Sequence, residues 1–417
     1  MKKLLFIILS IFIITLCSCS PKSSVSNSAP GKTTSHVAAG PHNSNPPELD
    51  PTIIKKYNKF SYDFLADAVN RDSNSNILVS PISFEFLLSL MANGTETSAS
   101  EEILKYLNIP TIEDLNNINR RWLWLAKDSD EYGKFELANS IWSSKKIKLK
   151  KEYKVKMESD YQASFHTLAE DPSTSQKDIN LWAKEKTDGM IPEFLTHPLP
   201  SHTKLALYNA TYFQGEWRDP FPKENTTPDR FNTPIGEINV ETMHNSYHGN
   251  YYSTEKYEAI DIRYCRTFCM KIILPKREYS VEKVLPYIAD SRAEECDIKV
   301  SLPKFSIRYR LENLKDYLAQ KGVIQIFKDK KTFSPLSSSS ILFEDINIAQ
   351  EAVINIDENG TRVAAVTGMM IAMESGLPRP KFKKIDFKVD RPFIFSIIER
   401  SSGAVIFTGV VNNPNDE

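Results

Sequence analysis

Residues 387–414, FKVDRPFIFSIIERSSGAVIFTGVVNNP, decide the fold of this chain. The stretch contains two apolar runs, RPFIFSIIER and GAVIFTGVV, which are joined at Ser-Ser-Gly. Both runs are short, rich in β-branched and aromatic residues, and bounded by turn-forming residues, a pattern typical of strands. The C-terminal part of the chain is therefore predicted to form two strands of a β-sheet.

The chain upstream of this stretch begins with helices and continues mainly with strands. Apolar residues recur at helical spacing in TIIKKYNKFSYDFLADAVN, in SFEFLLSLMANG and in INLWAKEKTDGMIPEFL. The strand-like runs are FELANSIWSS, TKLALYNATYFQ, YEAIDIRY, CMKIILP, DIKVSLPKFSI and AVINID. This mixed order without βαβ alternation predicts an α+β fold with largely antiparallel sheets. Residues 48–417 show no second linker and no internal repeat, so we expect a single domain there.

The N-terminus reads as a secretion signal. Lys2 and Lys3 precede an apolar run from Leu4 to Leu16, as in a signal peptide over residues 1–18. The run is shorter than the ~20 residues that a membrane-spanning helix needs. The sequence Leu-Cys-Ser-Cys that follows resembles a bacterial lipobox, which would make Cys19 the lipidated first residue of the mature chain. A plain signal peptide cut nearby and an uncleaved anchor are the alternatives.

A polar segment separates Cys19 from the predicted domain. It is rich in Ser, Asn, Pro, Gly and Thr and has no apolar periodicity, so residues 19–47 are predicted to be a lipidated cysteine followed by a disordered tether. A coil of roughly 28 residues reaches roughly 30 Å from a membrane. We therefore expect a protein that is secreted across the inner membrane and anchored by lipid in the bacterial cell envelope, periplasmic or at the cell surface and extracellular. Its only membrane attachment would be the lipid.

Composition and motifs argue against several classes of function. The formal net charge is −1, so no basic surplus indicates nucleic-acid binding. No dinucleotide loop, P-loop, HExxH or GxSxG motif occurs in the sequence. We therefore expect that the protein is not an enzyme and binds no cofactor. His244 and His248 would lie about 13 Å apart in a strand, so no metal is expected there. Cys265 and Cys269 could form a disulfide across a tight hairpin or remain thiols.

The C-terminal stretch also carries a family resemblance. Its residues Phe387–Phe395 resemble the serpin signature, and FTGVVNNP at 407–414 is similar to the usual serpin C-terminus. Four further blocks resemble serpin elements in the family's order: NILVSPISFEFLLSLMANGT (76–95), LANSIW (137–142), INLWAKEKTDGMI (179–191) and LYNATYFQGEWRDPF (207–221). They resemble, respectively, the helix behind the main sheet, a central strand, the helix across the sheet's face and a second central strand.

The resemblance implies both a fold and a mechanism. It implies three mainly antiparallel sheets, eight or nine helices and an exposed reactive-centre loop near the C-terminus. It also implies a monomeric inhibitor of secreted serine proteases, and of papain-like cysteine proteases, that acts as a suicide substrate. The cleaved loop would enter the main sheet as a new strand and trap the protease covalently. The alternative is a non-inhibitory serpin that acts as a binding or carrier module.

The loop sequence ENGTRVAAVTGMMIAMESG, residues 358–376, is compatible with such insertion. Alternation from Thr361 places uncharged residues on the core face and Arg362 on the outer face. No proline interrupts the segment, so every backbone N–H is available to a sheet. The resemblance assigns the hinge to Glu358, Gly360, Thr361, Val363, Ala364 and Ala365.

The family's spacing also implies a reactive bond and a region that opens the sheet. The bond is placed between Glu374 and Ser375, with cleavage after Met373 as the alternative. The sheet-opening region comprises Ser80, Ser83, Asn209, Gln350, Trp217 and Lys304. Gln350 stands where the family often has histidine. Lys304 is expected on a strand. It either forms a salt bridge with Glu358 near Trp217, or the two charged side chains are separately solvated.

Overall fold

A computed structural model describes residues 48–127, 133–265, 267–288, 292–311, 314–361 and 381–416. Every described residue falls within one compact unit, Asn45–Glu417. The predicted signal peptide, Cys19 and the tether lie outside the described residues. So does the loop from Arg362 to Pro380.

The described residues form eight α-helices. They are α1 Pro51–Arg71, α2 Pro81–Ala92, α3 Thr97–Leu107, α4 Ile112–Lys127, α5 Lys151–Tyr161, α6 Pro172–Lys186, α7 Val281–Val284 and α8 Leu314–Gln320. The side chains of Asp50, Ser80 and Asp171 cap the three predicted helices α1, α2 and α6, and each cap is followed by proline. α6 differs from the predicted helix at both ends: it begins at Pro172, before the predicted start at Ile179, and it ends at Lys186, shortly before Asp188 and Gly189 adopt φ angles of +47° and +79°.

Fifteen strands complete the described structure. They are β1 Ile77–Val79, β2 Gly133–Ser143, β3 Ser164–Thr167, β4 Leu205–Glu216, β5 Thr227–Thr233, β6 Gly236–Ser253, β7 Tyr257–Arg263, β8 Phe268–Pro275, β9 Glu294–Pro303, β10 Phe305–Leu311, β11 Ile346–Asp357, β12 Gly360–Thr361, β13 Lys383–Lys388, β14 Phe393–Glu399 and β15 Ala404–Val411. The two strands predicted from residues 387–414 are confirmed as β14 and β15, which pair antiparallel.

Hydrogen bonding arranges these strands in two sheets. The nine-stranded sheet has the order β1-β15-β14-β8-β7-β6-β9-β13, with β5 beside β6, and the six-stranded sheet has the order β10-β11-β12-β4-β2-β3. Two of the three expected sheets are therefore joined. The cause is the length of β6, whose residues 242–251 pair with β9 while residues 251–253 pair with β7. Most pairings are antiparallel, as predicted; the parallel pairs are β2–β3, β4–β11 and β9–β13.

Helix α2 lies in the centre of the molecule. All of its residues are buried, and it packs against β4, β15 and neighbouring helices. Such a helix is expected to be apolar on every side, and only Ser83, Glu85 and Ser89 break this pattern. The helix places Ser80 and Ser83 directly behind the six-stranded sheet. None of the helices in the described ranges combines the length and the apolar composition that crossing a membrane requires.

Candidate functional site

The candidate site is the opening between β4 and β11 in the six-stranded sheet. At one end these strands pair in parallel, Ile346–Ala349 with Leu205–Tyr208. At the other end β12 lies between them and is antiparallel to both. Gly360 stands opposite Asp357 and Glu216, and Thr361 stands opposite Ile356 and Gly215. The first two residues of the predicted insertion segment thus already occupy the end of the sheet.

The side chain of Thr361 shows which face of the insertion segment points into the protein. Its side chain is 1% exposed, and its hydroxyl lies 2.5 Å from the hydroxyl of Tyr264. It therefore points into the protein, on the face that alternation predicts for it. Tyr264 in turn stacks on Trp217, with ring centroids 4.4 Å apart. The contact between Thr361 and Tyr264 was not predicted, because it joins residues 97 positions apart.

Gly360 is required by its surroundings. Its φ is +151°, which side-chain-bearing residues rarely adopt, and a Cβ there would lie 2.0 Å from the carbonyl oxygen of Gly215. Only a residue without a side chain fits between the two strands at this point. The small hinge residue expected from the sequence thus has a specific steric role where the segment enters the sheet.

We expect Gly360→Ala to displace β12 and to lower the free energy of unfolding of the intact protein by about 1–3 kcal/mol. Urea unfolding followed by tryptophan fluorescence measures this change, since Trp217 lies beside the hinge. Gly236→Ala is the matched control: its φ is +146°, but nothing lies within 4 Å of the added Cβ. Equal destabilisation by the two variants would show that backbone strain, rather than the close approach to Gly215, accounts for the effect.

Glu358 is held by two partners just before the hinge. Its Oε1 accepts hydrogen bonds from Thr226 Oγ1 at 2.9 Å and from Lys304 Nζ at 3.1 Å, so the pair with Lys304 is formed. Burial opposes ionisation of this carboxyl, but the hydrogen bonds and the charge of Lys304 outweigh it, and the pKa of Glu358 lies below its usual range. One expectation was wrong: Lys304 is not within a strand but is the single residue between β9 and β10, where the chain passes from the nine-stranded sheet to the six-stranded sheet.

Trp217 closes the same end of the sheet. Its indole N–H donates to the carbonyl oxygen of Asp357 at 3.0 Å, and its backbone N–H donates to that of Asn359 at 2.8 Å. Trp217 is 1% exposed. It is thereby bonded directly to the turn between β11 and β12, so any movement of the hinge changes its surroundings.

The four remaining residues of the predicted sheet-opening region come together behind the centre of the sheet. Ser83 Oγ donates to Asn209 Oδ1 at 2.5 Å, and the Gln350 side-chain amide donates to the carbonyl oxygen of Ser80 at 2.8 Å. Gln350 Oε1 is buried without a hydrogen-bond partner among the described residues. Asn209 also donates to Asn139 Oδ1 at 2.8 Å, which links β4 to β2.

Sequence reasoning missed Asn139 and Thr211 in this cluster. Thr211 donates to Asn209 Oδ1 at 2.5 Å, and Asn139 donates to the carbonyl oxygen of Tyr161. Both side chains are buried, Asn139 in β2 and Thr211 in β4, and each needs a hydrogen-bond partner there. Their polarity alone did not mark them in the sequence, because the same strands also carry polar residues such as Lys134 and Gln214.

Several predicted site residues fall outside the described residues. They are Val363, Ala364, Ala365, Met373, Glu374, Ser375 and Cys19. Their assignments stay predictions.

The cysteines and histidines within the described residues do not build a second site. Cys265 Sγ lies 3.5 Å from the carbonyl oxygen of Trp217, and no disulfide joins Cys265 to Cys269. Cys269 is buried, and burial raises the pKa of its thiol to about 12. His244 Nδ1 lies 2.9 Å from Ser301 Oγ, and His248 Nδ1 lies 3.3 Å from Asp297 Oδ1. Over the described ranges, no three metal-ligating side chains gather into a metal site.

Comparison with known proteins identifies the family. Residues 55–414 match the family model Serpin (serine protease inhibitor). The chain is 30% identical over 377 residues to an uncharacterized serpin-like protein of Thermococcus kodakarensis, covering 87% of this chain and 86% of that protein. It is 26% identical over 383 residues to the human leukocyte elastase inhibitor, covering 85% and 98%. The chain therefore belongs to the serpin family, which includes protease inhibitors such as the leukocyte elastase inhibitor.

Solved structures agree with this fold. The thermophilic serpin tengpin in its native state superposes with a TM-score of 0.77 at 28% identity, over 88% of this chain and 96% of tengpin. Thyroxine-binding globulin in complex with thyroxine superposes with a TM-score of 0.75 at 20% identity, over 88% of this chain and all of that chain. The second likeness shows the fold alone. The α+β serpin fold expected from the sequence is confirmed.

Proposed function

We propose that this protein inhibits serine-type endopeptidases as a suicide substrate. The observation that carries the proposal is β12, whose two residues lie between β4 and β11 with the side chain of Thr361 buried. A loop that enters the sheet by this route continues a strand that has already begun. Strand addition of this kind is a known mode of recognition, and serpin loop insertion is one of its established examples.

The proposed chemistry begins as ordinary proteolysis. The protease serine attacks the carbonyl carbon of Glu374, the bond to the Ser375 nitrogen breaks, and the nitrogen leaves as a new amino terminus after taking up a proton. The protease then holds residue 374 as an acyl ester. If the loop inserts before water hydrolyses this ester, the protease is carried along the sheet and stays covalently bound. Papain-like cysteine proteases would form a thioester at the same carbonyl.

Length and burial are adequate for this transfer. Fourteen inserted residues at ~3.3 Å each span roughly 45 Å, most of the length of a domain. The core-facing residues from Thr361 to Met373 are uncharged. At ~25 cal/mol per Å², burying several such side chains contributes on the order of 10 kcal/mol. The intact protein is then metastable, and cleavage releases the difference.

The target and the location are finer parts of the proposal. Glu374 before the reactive bond suits a protease with a basic specificity pocket, whereas cleavage after Met373 suits one that prefers apolar residues. A lipid on Cys19 would keep the inhibitor in the bacterial cell envelope, where it meets secreted proteases. The inhibitor acts as a monomer in this proposal.

A protease panel tests inhibition directly. We expect the fragment 48–417, which contains the whole described core, to form a denaturant-stable complex with at least one of glutamyl endopeptidase, elastase, subtilisin, trypsin or papain. Mass spectrometry of the released C-terminal peptide locates the reactive bond: a peptide that starts at Ser375 identifies Glu374, and one that starts at Glu374 identifies Met373. Cleavage without a complex, and without a gain in thermal stability, would refute the proposal.

The second candidate function is a carrier. Its support is the fold shared with thyroxine-binding globulin, which was solved in complex with thyroxine. The uncharged core face of the hinge favours the inhibitor, since a carrier does not need to insert its loop. Failure of the panel experiment would leave the carrier as the better interpretation.

A further inference from the structure

A lysine-rich segment lies outside the site described above. Seven lysines and one glutamate occur between positions 145 and 156, in a chain whose formal net charge is −1. The segment joins β2 to α5 and includes the first half of α5. We call residues 145–156 the lysine segment.

The fold holds the lysine segment with its charges outward. Ile147 is buried and Leu149 is half-buried. The lysines that alternate with them, Lys146, Lys148 and Lys150, are exposed. The backbone is fixed against the uncharged segment 334–339, where Leu149 forms a bridge with Ser337. The positive charges are therefore displayed by a fixed backbone.

Most of these charges are uncompensated in the described structure. Lys145 lies 3.7 Å from Glu170, and Lys156 lies 3.3 Å from Asp160. The ammonium groups of Lys146, Lys148 and Lys150 form no ion pair with any described acidic residue. On α5 the side chain of Val155 is 53% exposed, so an apolar group stands among the lysines. Exposed lysines around an apolar residue are typical of a surface that contacts anionic lipid headgroups.

The lysine segment lies at the end of the sheet opposite the hinge. In the antiparallel pair β2–β4, Ser143 faces Leu205 while Gly133 faces Gly215. Gly215 is also the partner of Thr361, so the hinge lies beside the far end of β4. The length of β4 separates the two positions by about 35–40 Å at ~3.3 Å per residue. A surface that held the lysine segment would leave the hinge end of the sheet pointing away from it.

We propose that the lysine segment docks on an anionic phospholipid bilayer, and that the docked protein presents the hinge end of its six-stranded sheet away from the membrane. The choice of a bilayer rests on charge complementarity and on the sequence outside the described residues, where a lipobox-like cysteine precedes a polar segment of roughly 28 residues. The proposal adds a second, electrostatic contact to the lipid anchor.

A consequence of docking depends on the inhibitor function proposed above. Full insertion would bring the trapped protease to the end of the sheet where the lysine segment lies. The protease would then compete with the bilayer for the same surface. Trapping should therefore weaken docking and leave the lipid anchor as the only attachment.

Vesicle sedimentation of the fragment 48–417 tests docking without the lipid anchor. We expect the fragment to sediment at low salt with vesicles of phosphatidylglycerol and phosphatidylcholine. Near 1 M salt the Debye length shortens to about 3 Å, and the fragment should be released. It should not sediment with vesicles of pure phosphatidylcholine. The triple variant Lys146→Glu, Lys148→Glu, Lys150→Glu should bind at least tenfold more weakly. The control is the triple variant Lys177→Glu, Lys184→Glu, Lys186→Glu, which replaces three exposed lysines of α6 and gives the same change in net charge. It should bind the vesicles as the unmodified fragment does.

Three results would overturn the docking proposal: equal binding by the triple variant and the unmodified fragment, equal loss in the α6 control, or preference for a soluble sulfated polysaccharide over the anionic vesicles. Glutamine at the same three positions is the second variant if the glutamates prevent folding, and it should also weaken binding. A protease complex that sediments as well as the intact fragment would refute the competition. Absence of any complex would instead contradict the inhibitor function and leave the vesicle result standing.

Discussion

Ala365→Arg is expected to convert the proposed inhibitor into a substrate. Alternation counted from Thr361, whose side chain the structure buries, places residue 365 on the core face of the inserted strand. A guanidinium there would have to be buried without a partner, which costs several kcal/mol. Insertion would slow while hydrolysis of the acyl ester continues unchanged. Each ~1.4 kcal/mol added to the insertion barrier moves the ratio of trapping to turnover tenfold, so stable complexes should become rare.

The neighbouring position supplies a matched control. Ala364→Arg introduces the same side chain one residue earlier, on the outer face, and should leave trapping within a fewfold of the unmodified protein. The stoichiometry of inhibition and the yield of denaturant-stable complex, measured with whichever protease the panel identifies, compare the two variants. If both arginines abolish trapping, the alternation is wrong; if neither does, the segment does not insert through position 365.

Glu85→Gln is expected to remove a strong pH dependence of stability. Glu85 lies within α2 and is fully buried; its Oε1 accepts from Asn119 Nδ2 at 2.7 Å and from Ser89 Oγ at 3.0 Å. Its Oε2 has no hydrogen-bond partner in the described structure, and the buried Tyr57 hydroxyl has none either. Burial outweighs the hydrogen bonds from Ser89 and Asn119 and raises the pKa of Glu85 to about 8.

The direction of the effect follows from proton binding. The folded protein keeps the Glu85 proton up to a pH of about 8, whereas the unfolded chain releases it near the ordinary glutamate pKa of 4.5. Between these values the folded state binds more protons, so its stability falls as the pH rises, by at most about 1.4 kcal/mol per pH unit. The contribution is fully present below 4.5 and is lost above 8. Charging Glu85 in the folded protein also places an anion near the hydroxyls of Tyr57 and Tyr161.

Urea unfolding between pH 5 and pH 8 measures this prediction. In the Glu85→Gln variant the new amide oxygen can keep the bonds to Asn119 and Ser89, and the amide nitrogen supplies a donor where Oε2 is unpaired. We expect the variant to match the unmodified protein at pH 5 and to exceed it at pH 8. Glu158→Gln, which alters an exposed residue of α5, is the control and should change neither value. An unchanged slope in the Glu85→Gln variant would assign the pH dependence to other groups.

The sequence predicted those elements whose apolar pattern is strong and local. α1, α2 and the paired strands β14 and β15 followed from periodicity and turn residues. α5 was missed although Tyr153, Met157 and Tyr161 are buried at helical spacing, because its many lysines obscure the apolar face. β5 and β6 were missed because most of their residues are polar, so little apolar alternation marks them.

The site was predictable only as far as the family resemblance assigned residues. Ser83 and Asn209 do contact each other, and Lys304 does pair with Glu358. The bond from Trp217 to Asp357 and the exclusion of a side chain at Gly360 depend on how distant strands approach. No local pattern in the sequence encodes how closely these strands approach each other.

The orientation of β12 has a consequence for the character of the sheet. β4 and β11 run parallel, and four residues of each form their direct ladder, whereas β12 is antiparallel to both. Extending β12 would therefore replace one slanted, parallel ladder by two perpendicular, antiparallel ladders, which are the slightly more stable kind per residue. Each rung added would bond to both neighbours, while only the short parallel ladder must break. The polarity of the strands in this sheet therefore favours the extension of β12 between β4 and β11. Amide I infrared spectra should show this extension as a gain in the antiparallel β-sheet signal.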